Sequence, residues 1–440
     1  MIPARLRADA EACFAAAVAA VEPGRLVARG LARDGDTLVL RGRTGEEIAR
    51  HCGPVCIVGA GKAVVAMARA TSAIVGRDTV GGLVIAPHAV VVGDLDLIRI
   101  AYGAHPVPDT AGVAATRELL ELVRGSAAVT LVLVLLSGGA SALLVAPCET
   151  VTLADKQVLT RDLLAAGAEI AALNAVRKHC SRIKGGGLAR AAASANGCWT
   201  LVISDVAGDD LTTIGSGPTV ADPTTFADAL GVLARYGVTP PPAVGDYLRR
   251  GAAGEVHETP KPGNPIFARV RATVVGGNAD AMAAAAAEAV RRGYTVTTWA
   301  EPLAGDAAAA GERLARAVRS WPGSRPVALV AGGETTVAAR PGGLGGRSQH
   351  LALAAALHLE GSSAVVLAAG SDGIDGPTEA AGACVDGETT RRARAAGLDP
   401  VAALAATDSH RLLAATGDLL VTGPTGSNVA DVVVALRAAP

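Results

Sequence analysis

The chain has 440 residues, half of them hydrophobic, and a formal net charge of -1. That length supplies two or three domains with real cores, and a near-zero charge offers no global field for nucleic acid or an anionic membrane surface. With only 3 Trp, 4 Tyr and 3 Phe, little is available for a base-stacking platform.

The first segment, MIPARLRADAEACFAAAVAAVEP, carries Asp9, Glu11 and scattered Arg. It reads as an amphipathic helix and not as a signal peptide. The longest apolar run, 127–136, is broken by Thr130 and is too short to span a bilayer. The seven cysteines are scattered, and Cys52 and Cys56, the closest pair, have no second pair to complete a zinc site. A reducing cytoplasm is the expected location.

Strand and helix patterns then alternate. Val55–Val58 is a short apolar run, followed by Gly59-Ala60-Gly61-Lys62 and the helical pattern AVVAMARATSAIV. Strand, glycine turn and helix in that order put backbone N–H groups where an anion can dock. A Walker loop would need Gly at Cys56 and Ser or Thr at Ala63, and a dinucleotide fingerprint would need Gly or Ala at Val64, so neither motif fits. Lys62 is one of only five lysines among the 40 cationic residues. A compact ammonium there suits a phosphate contact, and a solvated lysine on a plain turn is the bland alternative.

Strands are expected at 81–92 and 97–101. The loop GAHPVPD follows, with His105 facing substrate or simply hydrogen-bonded, and with Asp109 or Thr110 as N-cap. A strong strand at 129–136 ends in Ser137-Gly138-Gly139-Ala140-Ser141, a plausible anion cradle or a tight βα turn. Residues 155–195 read as helical, with Asn174, Arg177, Lys178, His179, Ser181, Arg182 and Lys184 close together. Such a segment suits an anionic substrate, and a solvated charged face is its alternative.

The chain is organised around 199–218, WTLVISDVAGDDLTTIGSGP. A buried strand stops at Ser204, and Asp205, Asp209 and Asp210 follow at its carboxyl end, where carboxylates hold a divalent metal or orient a polar substrate. A surface turn explains the same residues. A proline-rich stretch at 219–265 reads as helices and a connecting segment between domains. Further strands are expected at 271–275, 295–299, 327–331, 364–369 and 419–422. Their loops are Gly276-Gly277-Asn278, Gly305-Asp306, Gly332-Gly333-Glu334, the acidic Gly370–Pro377 and Gly423–Asn428, the last leading into a terminal helix from Val429. Polar loops that repeat at strand carboxyl ends imply an α/β chain. The expectation is two α/β domains with Rossmann-like parallel or mixed sheets and an interdomain cleft. Acids beside glycines point to phosphorylated ligands and a metal.

GAGKA at 59–63, GAHPVPD at 103–109, SGGAS at 137–141, NAVRKHCSRIKGGGLA at 174–189, SDVAGDD at 204–210, GSGP at 215–218, GGETT at 332–336, GGRSQHLAL at 345–353, SDGIDGPT at 371–378 and TGPTGSNV at 422–429 together resemble the glycerate 2-kinases of the MOFRL type. The resemblance covers nearly the whole chain, and its motifs are collinear. It implies an N-terminal Rossmann-like domain at 1–240, a connecting segment at 241–265 and a C-terminal domain at 266–440 that contains the MOFRL region, about 325–432.

The activity so implied is ATP-dependent phosphorylation of D-glycerate at its 2-hydroxyl, with Mg²⁺, and without nucleic acid or membrane as partner. A homodimer is an open option. The family's important lysine, aspartate and arginine fall on Lys62, Asp205 and Arg347. From the loops themselves, Gly59, Gly61, His105, Ser137, Gly138, Gly139, Ser141, Lys184, Gly277, Asn278, Gly332, Gly333, Asp372 and Asn428 are the candidate substrate or nucleotide contacts. By the chemistry of their loops, Asp209 or Glu334 is expected to hold the metal, with Asp372 or Asp375 contacting it or the nucleotide, so Asp209, Glu334 and Asp375 are the candidate ligands. Gly187 stands where the KGGR form of its loop has Arg, and Ser427 stands in a TGPTGTN-type loop. A nicotinamide-dependent hydroxypyruvate reductase and a non-catalytic sugar-acid sensor are the alternatives.

Overall fold

A computed structural model describes residues 2–88, 93 and 95–439. The end of the strand expected at 81–92, residues 89–92, lies outside them. The chain divides into two compact units, Pro23–Val275 and a second formed by Met1–Glu22 with Gly276–Pro440.

The first unit opens with an antiparallel meander of β1 (Leu31–Asp34), β2 (Thr37–Arg41) and β3 (Glu47–His51). Its main sheet contains β4 (Val55–Ala60), β5 (Thr79–Pro87), β6 (Ile98–Gly103), β7 (Leu131–Leu136), β8 (Gly197–Ser204) and β9 (Val270–Gly277), in the order β6-β5-β4-β7-β8-β9. The pairs β4–β5, β5–β6, β4–β7 and β7–β8 are parallel. β4 and β7 are buried along their whole length, which is why both read as unbroken apolar runs and not as alternating ones. From β4 the chain winds outward through β5 and β6, then returns to lay β7 on the other side of β4. The strand order reverses there, and in such sheets the loops at that point bind ligands.

The second unit carries β10 (Thr295–Thr298), β11 (Val327–Gly333), β12 (Ala364–Gly370), β13 (Gly382–Asp386), β14 (Leu419–Leu420) and β15 (Asp431–Arg437), in the order β10-β11-β15-β12-β13-β14. β10 and β11 are parallel, whereas β15 runs antiparallel to both β11 and β12, so the sheet is mixed. The helix expected from Val429 is therefore a central strand. Asp431-Val432-Val433-Val434-Ala435-Leu436 is buried throughout, and its β-branched run favours the pleated conformation.

The first helix, Ile2–Ala20, belongs to this second unit and not to an N-terminal domain. Asp9 accepts from Tyr294 Oη at 2.7 Å and pairs with Arg292, and Arg7 reaches Asp386 at 3.1 Å and Asp418 at 2.5 Å. The segment expected as a connection, 241–265, lies inside the first unit. Its helix Pro242–Ala252 buries Val244 and Leu248 against Phe226, Leu233 and Val176. Its Pro260 carbonyl accepts the Asp222 amide at 2.9 Å.

Candidate active site

In the first unit, loops from three strands meet at the point of strand reversal. The Lys62 amide donates to Gly138 O at 2.8 Å, and Ser137 N–H donates to Ala60 O at 3.2 Å. Ser137 Oγ accepts the Ala63 amide at 3.0 Å, satisfying an orphan donor at the start of the helix Val64–Val75. Gly61 has φ +141°. A β-carbon on it would lie 2.1 Å from Ser137 Oγ, so only glycine lets the two loops approach. Gly59 is similarly tight, since a β-carbon there would lie 2.2 Å from Leu135 O. Gly139, at φ +85°, faces the His105 ring and the Lys62 stem, 3.0 Å and 3.6 Å from where its β-carbon would be. Lys62, His105 and the SGGAS loop therefore form one neighbourhood. Asp109 N-caps the next helix by accepting the Gly112 amide at 2.8 Å, and its other oxygen meets His88 Nε2 at 2.8 Å.

Lys184 lies under this loop. It is 2% exposed, and its Nζ donates to Ser141 O at 2.7 Å, Ser141 Oγ at 3.0 Å and Gly215 O at 3.4 Å. Burial pushes its ammonium well below the ordinary lysine value, with the Arg177 and Lys156 charges adding to the effect. Ser141 Oγ also meets Ser216 Oγ at 2.9 Å, and Ser216 Oγ donates to Asn174 Oδ1 at 3.1 Å. This chain of side chains ties the SGGAS and GSGP loops together, so Lys184 positions the loop from below.

Asp205 follows β8 directly and is partly buried. Asp209, at φ +54°, pairs with Arg43 at 2.5 Å. Asp210 accepts from Thr212 N, Thr212 Oγ1 and Thr213 Oγ1 at 2.9, 2.7 and 2.7 Å. Burial works to raise its pKa, but these bonds hold it below the usual carboxylate range.

In the second unit, the antiparallel entry of β15 places Asp431 level with Gly333 and Gly370, the last residues of β11 and β12. Arg347, the first residue of the helix Arg347–Leu359, meets it side-on: Nε to Oδ2 at 2.7 Å and Nη2 to Oδ1 at 3.0 Å. Its Nη1 pairs with Glu334. Burial raises the Asp431 carboxyl to about 6 against the pull of Arg347, with the Asp375 and Glu334 charges adding to the rise.

Asp375 is 4% exposed and accepts the amides of Ser348 and Gln349 at 3.1 and 2.8 Å. It caps the Arg347 helix, and Gly346 is needed because a β-carbon there would lie 2.1 Å from Asp375 Oδ1. Asn278 Nδ2 donates to Val429 O and Asp431 O at 2.8 and 2.9 Å, fixing the start of β15. Gly332 and Gly333 pack closely on protein, with hypothetical β-carbons 2.0 Å from Asn278 Oδ1 and 2.4 Å from Leu303 O. Gly277 closes β9, directly before Asn278. Asp372 turns its Oδ1 to the Ile374 amide at 3.1 Å, and its carbonyl accepts the Thr425 amide at 3.1 Å, so the loop that leads to the buried Asn428 is laced to it.

Asp431 is the residue that sequence reasoning missed. Its only signal was an acid opening the apolar run Val432–Leu436, and reading that run as a helix hid its level with the ends of β11 and β12.

Two family models match the chain: one described as Domain of unknown function (DUF4147) over residues 9–249, and the MOFRL family over residues 327–431. The chain is 37% identical to a glycerate 2-kinase of Pyrococcus horikoshii, covering 96% of this chain and 94% of that protein. It belongs to the glycerate 2-kinase family of the MOFRL type. Within this family, the D-glycerate 2-kinase of Thermotoga maritima is 39% identical over 87% of this chain and 90% of its own. A protein of Agrobacterium vitis provisionally named a hydroxypyruvate reductase is 42% identical, with 87% of each chain covered. The crystal structure of the Thermotoga maritima glycerate kinase superposes with a TM-score of 0.84 at 36% identity, covering 99% of this chain and 100% of that one. The family's two-domain α/β architecture is thus the one seen here.

Proposed function

We propose that this chain phosphorylates D-glycerate at the 2-hydroxyl, consuming ATP and releasing 2-phosphoglycerate and ADP. The observation that carries the reading is the meeting of Lys62, His105 and the SGGAS loop at the strand reversal of the first sheet, in a chain that glycerate 2-kinases match over nearly its whole length.

Phosphoryl transfer asks mainly for positioning and charge stabilisation. Lys62 supplies a point charge for the transferring phosphoryl oxygens or for the glycerate carboxylate. Asp205 orients the 2-hydroxyl and accepts its proton. Arg347, held in one orientation by Asp431, presents a fixed guanidinium to phosphate. His105 and the loop amides line the approach, and Lys184 and Asn278 act behind their loops.

Mg²⁺ fits this donor set in one form. Among the described residues no group of three His, Cys, Asp or Glu side chains assembles for a metal. Asp375 spends both oxygens on backbone amides. An ion carried on nucleotide phosphates, needing one or two carboxylates, suits what remains, with Glu334 or Asp209 as the residues that would hold it. Bound there, Mg²⁺ would neutralise phosphate charge.

The reductase reading asks for a dinucleotide turn, and Val64, fully buried, occupies the position that such a turn keeps small. ADP release that depends on D-glycerate, measured beside NADH and NADPH oxidation with hydroxypyruvate, separates the readings. Binding of glycerate and ATP without ADP release would mark a sensor. The seven cysteines are free thiols, and no helix among the described residues is long and apolar enough to cross a membrane. We place the protein in the cytoplasm on the thiols. Light scattering tests the homodimer.

A further inference from the structure

The cationic segment at 174–190 is only partly used by the site described above. Lys178 is neutralised by Asp222 at 3.4 Å, and His179 Nε2 meets Glu258 at 2.9 Å. Arg182 and Arg190, with Arg124 from the end of the helix Thr110–Arg124, instead line a concavity of about 460 Å³. None of these three arginines is paired with a carboxylate among the described residues. Arg190 spends one nitrogen on the Glu258 carbonyl at 2.6 Å, and Glu258 turns its carboxylate to His179, Lys261 and the Phe226 amide. His257 and Ser181 add polar groups, and no acid lines the hollow. Lys184, whose Nζ bonds the SGGAS and GSGP loops, reaches its wall, whereas Lys62, His105, Ser137 and Asp205 do not line it.

Unpaired guanidinium forks around one hollow match the oxygens of a phosphoryl group, which accepts two parallel hydrogen bonds from each fork. A single phosphate would leave most of the volume empty, because hollows of this size take whole small molecules. Beyond the arginines the lining includes Ala191, Pro260, Tyr247 and the largely buried Phe226, which offer apolar contact to an organic part. We infer that this hollow is a second ligand site for a phosphorylated small organic molecule, its phosphoryl group held by Arg124, Arg182 and Arg190 and its body lying against Phe226 and Tyr247.

The test is calorimetric titration of the full chain with phenyl phosphate, which carries both recognition elements. Wild type is expected to bind it. Arg124→Ala with Arg182→Ala is expected to weaken binding by at least about tenfold, since charge-assisted forks are lost, with ADP formation at saturating substrates retained. Arg182→Lys, which keeps charge and stem and disturbs folding least, is expected to bind several-fold more weakly. Lys62→Ala is expected to bind as wild type does. Absence of binding to wild type at millimolar phenyl phosphate overturns the inference, as does wild-type affinity in the arginine variants. Loss of binding in Lys62→Ala alone would return the ligand to the active site and also overturn it. Failure here leaves glycerate-dependent ADP formation untouched, so the two readings fall separately.

Discussion

Arg347 meets Asp431 side-on through two near-parallel hydrogen bonds, 2.7 and 3.0 Å long, and the carboxylate so used is buried at the start of the central strand β15. The pair fixes a guanidinium at the carboxyl ends of β11 and β12, with Glu334 on its remaining nitrogen. The arrangement is electrostatically poised, because burial lifts Asp431 to about 6 although a cation sits against it.

Turnover should therefore fall as pH drops through about 6, where Asp431 takes up a proton and releases its hold on Arg347. The folded pKa lies above the unfolded value of 3.8, so the folded state binds the proton more tightly. The contribution of Asp431 to stability is then most favourable below the unfolded value and is lost as pH rises through about 6. Asp431→Asn should lower the activity plateau and remove both the acid limb and the 4-to-6 stability slope, where 4 and 6 are about the two pKa values. An unchanged acid limb in Asp431→Asn would assign it to another group.

Lys62→Ala and Asp205→Asn should each lower kcat by roughly 10²–10³, the usual cost of losing a charge-stabilising group in a site of this kind. Thermal unfolding should move little, because both side chains are only partly buried. Near wild-type turnover in both variants would remove these residues from the reaction.

Gly61→Ala should cost stability and activity together. The new methyl would fall 2.1 Å from Ser137 Oγ and 2.7 Å from Ser137 O, at a φ of +141° that alanine avoids. We expect a loss of about 2–4 kcal/mol in denaturant unfolding. Ser137→Gly, which clears only the Oγ, should rescue little, since the carbonyl remains in the way.

Lys184 offers a test of the loop scaffold. Its folded pKa is depressed by burial, so the unfolded state binds the proton more tightly and stability should rise with pH until about 10.5, the unfolded value. Lys184→Met should flatten that slope and leave Ser141 O and Gly215 O without their donor. KM for the ligand bound by the SGGAS loop should then rise more than kcat falls. An unaltered slope in the variant would mean that Lys184 is not the group titrating.

The alternation of strands and glycine turns was legible in the sequence, because β4, β7, β8, β11 and β12 are short apolar runs that stop at polar loops. Lys62 and the SGGAS loop were each legible as motifs, but their meeting was not, because it depends on β7 lying beside β4 in the sheet. The placement of β15 was not legible either. Its residues are buried on both faces, and a run without alternation carries no period to separate strand from helix. With it went Asp431, whose importance comes from an antiparallel register that no local pattern encodes. Helix Ile2–Ala20 was recognised as a helix but assigned to the wrong neighbour, since Asp9–Tyr294 and Arg7–Asp418 join positions hundreds of residues apart. Asp375 and Asn278 show a different limit: the sequence offers acid and amide groups at loops, while the structure spends them on backbone amides and carbonyls.

The central claim is tested most directly by ³¹P NMR of the purified protein with ATP, Mg²⁺ and D-glycerate. The account predicts a 2-phosphoglycerate resonance growing in step with ADP. A 3-phosphoglycerate resonance would contradict the assignment of the reacting hydroxyl. A folded protein that forms no phosphorylated product would contradict the kinase itself.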